Sequence, residues 1–167
     1  MKRPVVALVI AGLLMATAGS TAVAKTMKIE VVGTASPVAM PDPGTTTTHG
    51  TIVVTRGFRD ALQSDPAVTN NPYVTGYQED VVNWVGDLRT NRGVLRGTGT
   101  HWPTAYPDGT WRCSFIGVFD DFAHGVWSGK GVCHGAGTLK GWQWRADVSS
   151  SPNGGTAMRG YIYFPGA

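Results

Sequence analysis

The chain has 167 residues, two cysteines, and 14 basic against 11 acidic side chains, a formal net charge of +3. That length suits one domain with a proper hydrophobic core. Lys2 and Arg3 fall in an N-terminal leader; without them twelve basic residues face eleven acidic ones, a net charge of +1, and no basic cluster or basic helix remains to bind nucleic acid.

Residues 1–24 have the layout of a secretory signal peptide. Lys2 and Arg3 form the basic start, residues 5–15 the apolar centre, and Ala22-Val23-Ala24 a small-residue cleavage site. This predicts an exported chain beginning at Lys25, secreted or otherwise extracytoplasmic. The apolar run is short for a membrane span, so none is expected in the mature chain; an uncleaved N-terminal anchor is the alternative.

Residues 25–33 read as a first strand, and residues 35–49, rich in proline and threonine, as a loop or linker. The main domain is then residues 50–167. Its first strand is 50–58, marked by β-branched residues. Residues 60–71 hold at most one short helical turn. A long strand follows at 73–88, with Gly76 a bulge position. Thr90-Asn91-Arg92-Gly93 is a hairpin turn, 94–102 the next strand, and Tyr106-Pro107-Asp108-Gly109 another turn.

The stretch 109–148 is the most informative. In 110–119, Trp111, Cys113, Phe115 and Phe119 share one parity; in 126–134, Trp127, Gly129, Gly131 and Cys133 do the same. Pairing these runs antiparallel with Phe119 opposite Trp127 sets Phe115 opposite Gly131 and Cys113 opposite Cys133. One register thus aligns an aromatic pair, an aromatic–glycine pair and the only two cysteines, within reach of a disulfide. An exported chain would oxidise that pair. The alternative, a zinc site from Cys113, Cys133, His134 and His101, lacks C-x-x-C spacing. A second hairpin turns at 134–138 into a strand ending at Val148, where Trp142, Trp144, Ala146 and Val148 alternate with Gln143, Arg145 and Asp147. The last strand is 157–164, after the Pro-Asn-Gly-Gly turn at 152–155.

Eight short strands with turn signals between them, and no sustained helical period, predict an all-β chain. Short connections favour an antiparallel up-and-down eight-stranded β-barrel. Closure removes exposed edges and leaves an interior for side chains or one small ligand. Trp111, Phe115, Trp142 and Trp144 are assigned to the interior, because Arg112, Gln143 and Arg145 on the opposite parity are costly to bury. The inverse parity, with outward tryptophans at a subunit interface or sugar-binding surface, stays open.

The candidate cavity-lining residues are Glu79, His101, Trp111, Phe115, Trp127, Trp142, Trp144 and Tyr161. Glu79 and Asp80 lie on opposite faces of one strand, so one of them points inward. A carboxylate among apolar groups would have a raised pKa and could act as acid or base; the alternative is a solvent-facing strand end. His101 could titrate a ligand at the barrel mouth or pack against Trp102. Asp120-Asp121 near His124 is either a cation site or ordinary turn chemistry. There is no G-x-S-x-G, no H-E-x-x-H and no phosphate loop, so no metal or cofactor is expected.

Three glycine elements carry a family resemblance: Gly97-Thr98-Gly99, Gly129-Lys130-Gly131, and Gly135-Ala136-Gly137-Thr138-Leu139-Lys140-Gly141. From about residue 73 onward the chain resembles the allene oxide cyclase-like barrels, which the plant dirigent proteins share. The resemblance implies an eight-stranded antiparallel barrel with a central cavity, often in homo-oligomers. Members include cyclases, stereochemical guides for coupling reactions and proteins without known activity. No catalytic residue of theirs aligns here, so their chemistry is not carried over. The functional expectation is a secreted barrel that binds a small apolar or aromatic molecule. The competing expectations are a cofactor-independent isomerase or cyclase acting on a hydrophobic substrate, and a structural surface domain without ligand.

Overall fold

The computed structural model describes residues 27–152 and 154–164; the expected signal peptide and cleavage site lie outside them. Within the described residues there is no helix, and nine strands form one antiparallel sheet: β1 (Met27–Asp42), β2 (Thr45–His49), β3 (Ile52–Ser64), β4 (Gly76–Asp87), β5 (Arg92–Pro103), β6 (Gly109–Asp121), β7 (Val126–Gly137), β8 (Gln143–Ser150) and β9 (Thr156–Phe164). From β3 to β9 each strand pairs with the next in the chain. β1 pairs with β9 on one side and β3 on the other, closing a ring of eight strands. This is the expected up-and-down, barrel-like architecture with one strand more.

The extra strand, and a longer β1, come from residues 35–49, which read as one loop or linker in sequence. Residues 35–42 extend β1 and pair with β3 through two irregularities in register, and Thr45–His49 forms β2 against the first half of β3. The prolines are tolerated because this run lies along a ring seam and ends at a turn. At that turn Gly44 has φ +70°, and its N–H donates to Asp42 Oδ1 at 2.8 Å, an Asx turn that a Cβ would obstruct. Residues 60–64, read as possible helix, continue β3 with Ala61, Leu62 and Ser64 buried.

The β6–β7 register agrees with the sequence reading: Cys113 faces Cys133, Phe115 faces Gly131 and Phe119 faces Trp127. The two cysteines form a disulfide with Cα atoms 4.0 Å apart.

One end of the ring is plugged. Residues 65–75, the longest connection, fold across it and bury Thr69, Asn71 and Val74. Asn70 exchanges two hydrogen bonds with Val32, accepting through Oδ1 at 2.9 Å and donating through its backbone N–H at 3.1 Å. Trp111, fully buried, donates its indole N–H to the Tyr73 carbonyl at 2.8 Å. Leu139, from the β7–β8 turn, fills the same end, and Tyr73 stacks on Tyr106 with ring centroids 4.7 Å apart. Burying these rings and aliphatic chains supplies about 1.5–3 kcal/mol each. The opposite end has no such plug among the described residues.

Candidate functional site

Above that plug the ring encloses a cavity of about 410 Å³, within the range of small-molecule sites. Strand alternation builds its wall two residues at a time. β3 contributes Phe58, Asp60 and Leu62, and β4 contributes Gln78, Asp80, Val82 and Trp84. β6 and β7 add Phe115, Phe119, Trp127 and Gly131, β8 adds Trp144, Ala146 and Val148, and β9 adds Met158. The Cys113–Cys133 disulfide lies on the same wall. Near the mouth are Pro37, Phe122, Gly125 and Gly154.

Two glycines of β5 shape the polar part of this wall. Gly97 faces Phe115 across the ladder, and the Phe115 ring lies over it; Gly99 pairs with Asp80, whose carboxyl lies over it. A Cβ at either position would collide with that neighbour. The missing side chains thus let an aromatic ring and a carboxyl group lie side by side on the inner face.

Asp80 faces Asp60 directly across the β3–β4 ladder. Asp80 is 5% exposed, and Gln78 donates its amide to both carboxyl oxygens, at 2.9 and 2.7 Å. Burial pushes its pKa up to about 7; the Gln78 hydrogen bonds oppose the rise and the charge on Asp60 adds to it. Asp60 is raised as well, by burial, and a backbone hydrogen bond opposes this. Three buried polar atoms have no hydrogen-bond partner among the described residues: Asp60 Oδ1, His101 Nε2 and Trp144 Nε1. Such atoms are rare in folded chains.

The predicted site residues divide into three groups. Phe115, Trp127 and Trp144 line the cavity. Trp111, Trp142 and His101 belong to the interior or its closed end but not to the cavity wall. Trp142 is half-buried, stacked on Phe164 at 5.0 Å and edge-on to Tyr73 at 4.9 Å. His101 is buried behind Trp144, ring centroids 6.0 Å apart, and burial lowers its imidazole to about 4, so it is neutral at pH 7. It is therefore not at the mouth.

Glu79 and Tyr161 face outward, against expectation. Glu79 is exposed and accepts a hydrogen bond from the Tyr77 hydroxyl at 3.1 Å; Asp80 takes the inward position. Trp84 shares parity with Asp80 and would have assigned the face, but the aromatic Tyr77 on the other parity obscured it. Tyr161 lies under the Lys28 ammonium, 4.6 Å from its ring centroid. Its neighbour by parity, Arg159, was the available signal: Met158, Gly160 and Ile162 are the buried set. Asp60 was missed because its segment was not read as strand.

The zinc alternative does not survive. The disulfide removes both thiolates that a zinc site would need. His124 Nδ1 lies 2.8 Å from Asp121 Oδ2 in an exposed turn, and no group of three or more metal-ligating side chains occurs among the described residues.

A scan against protein-family models and a search of curated proteins give no match. The functional reading therefore rests on the cavity.

Proposed function

We propose that this chain is a secreted β-barrel that binds a small apolar or aromatic molecule in its central cavity. The observation that carries this reading is the cavity itself: about 410 Å³, walled by aromatic rings from five strands and plugged at one end. Phe58 and Trp84 meet edge-on at 5.1 Å inside it, as do Phe119 and Phe122 at 5.1 Å. A disulfide suits an oxidising, extracytoplasmic address, in keeping with the leader in residues 1–24. The reading also suits the resemblance to allene oxide cyclase-like barrels.

Gly131 offers a direct test. It lines the cavity, and a Cβ there meets nothing closer than 3.9 Å. Gly131→Leu should fill the space while leaving the ring intact. Native mass spectrometry of purified protein should find a retained small molecule in the wild type and none in the variant. A variant that retained the same molecule would show that it binds elsewhere.

The buried Asp80, with a pKa near the working pH of an acid–base group, favours a second reading, an isomerase or cyclase that needs no cofactor. Conversion of the retained molecule by wild type, lost in Asp80→Asn while binding persists, would decide for it.

A further inference from the structure

The acidic pair has no counter-charge inside the cavity. Among the described residues that line it, Asp60 and Asp80 are the only charged side chains; no lysine, arginine or histidine answers them. They stand directly opposite each other on one inner face, an arrangement that brings Cβ atoms to roughly 4.5–5.5 Å and sets like charges against each other. Gln78 satisfies Asp80 alone, and Asp60 Oδ1 keeps no partner. Beside the pair, one inner position along β5, lies the Phe115 ring. A separate signal sits across the ring, on β8: Trp144 lines the cavity, is 5% exposed, and its indole N–H donates to nothing among the described residues. The lining therefore offers polar atoms to a bound molecule as well as apolar surface.

We propose that the molecule bound in the cavity is a hydrophobic amine, its ammonium held between Asp60, Asp80 and the face of Phe115, its apolar body against Trp84, Phe119 and Trp127. This rests on the small-molecule reading above and adds the charge of the ligand. An ammonium donates up to three hydrogen bonds, enough for Asp60 Oδ1 and Asp80 together. It also removes the repulsion between them, and a cation within about 6 Å of a ring centroid is attracted to the ring face. A neutral ligand would leave the pair unanswered, and an anion would add a third like charge.

The test uses three probes of one shape: 4-phenylbutylamine, 4-phenylbutan-1-ol and 4-phenylbutyrate. Each is titrated into wild type, Asp60→Asn and Asp80→Asn by calorimetry near neutral pH, with circular dichroism to confirm folding. In wild type the amine should bind at least about tenfold more tightly than the alcohol, and the carboxylate most weakly. Either asparagine variant should lose about tenfold for the amine and stay within about twofold for the alcohol. Equal affinity for amine and alcohol, or preference for the carboxylate, overturns the charge assignment and leaves the small-molecule reading standing. Failure of all three to bind overturns both. Should a variant fail to fold, the wild-type series still decides.

Discussion

Replacing Asp80 with asparagine should make this protein more stable at neutral and alkaline pH. In the folded chain its carboxyl holds a proton up to about 7, against 3.8 for an ordinary aspartate. Between those values the folded state binds more protons than the unfolded one, so stability falls as pH rises through the window and levels off above about 7. At about 1.4 kcal/mol per pH unit, Asp80 costs the fold about 4 kcal/mol near pH 8, where it is buried ionised, and about 2 kcal/mol near pH 5, where it must take up a proton on folding. Asparagine keeps the shape, and its carbonyl still accepts from Gln78. The urea midpoint of Asp80→Asn should therefore rise by roughly 2 M near pH 8 and by about half as much near pH 5. His101, lowered to about 4, pulls the other way: acidification protonates it in the unfolded chain first, so stability is lost as pH falls below 6.5. Both proteins contain it, so it cancels in their difference. An unchanged or lower midpoint near pH 8, or a gain independent of pH, would refute the placement of Asp80 as a buried acid.

Three further outcomes follow from the packing. Joint replacement Cys113→Ala and Cys133→Ala opens a loop of 20 residues and should cost about 3 kcal/mol by the chain-entropy model, read as a drop in urea midpoint relative to the oxidised wild type. Gly97→Ala drives a methyl group into the Phe115 ring; it should destabilise by about 1–3 kcal/mol and weaken ligand binding, and a variant with wild-type stability and affinity would contradict the packing. Trp111→Phe keeps an aromatic ring but leaves the part-buried Tyr73 carbonyl without its indole donor, a loss of about 1–3 kcal/mol detectable by thermal melting.

Much of this fold was legible because strands broadcast their faces every second residue. The β6–β7 register could be read from Cys113, Phe115 and Phe119 against their partners, since one alignment satisfied three independent pairings. Where a strand carries large side chains on both parities the signal cancels, as at Tyr77 and Trp84 on β4, and the inward acid was misassigned. Residues 35–42 and 45–49 were illegible for another reason. Proline and threonine there imitate a linker, and only the seam with β3, set by tertiary closure, makes them strands. The cavity was visible as a surplus of aromatic residues on one face. Its acidic pair was not, because Asp60 and Asp80 come from different strands and meet only through the β3–β4 register.

β1 has neighbours of very different age in the growing chain. Its second half pairs with β3, made soon afterwards; its first nine residues, from Met27↔Phe164 to Ala35↔Thr156, pair with β9, the last of the described strands to be synthesised. The strands between can zip up in order, each onto the one before. Until β9 emerges the sheet is a curled ribbon with an open outer edge, a template for wrong partners. β1 is thus the clasp of a bracelet that cannot be fastened early. The ring, and with it the cavity wall, is complete only once β9 has joined β1.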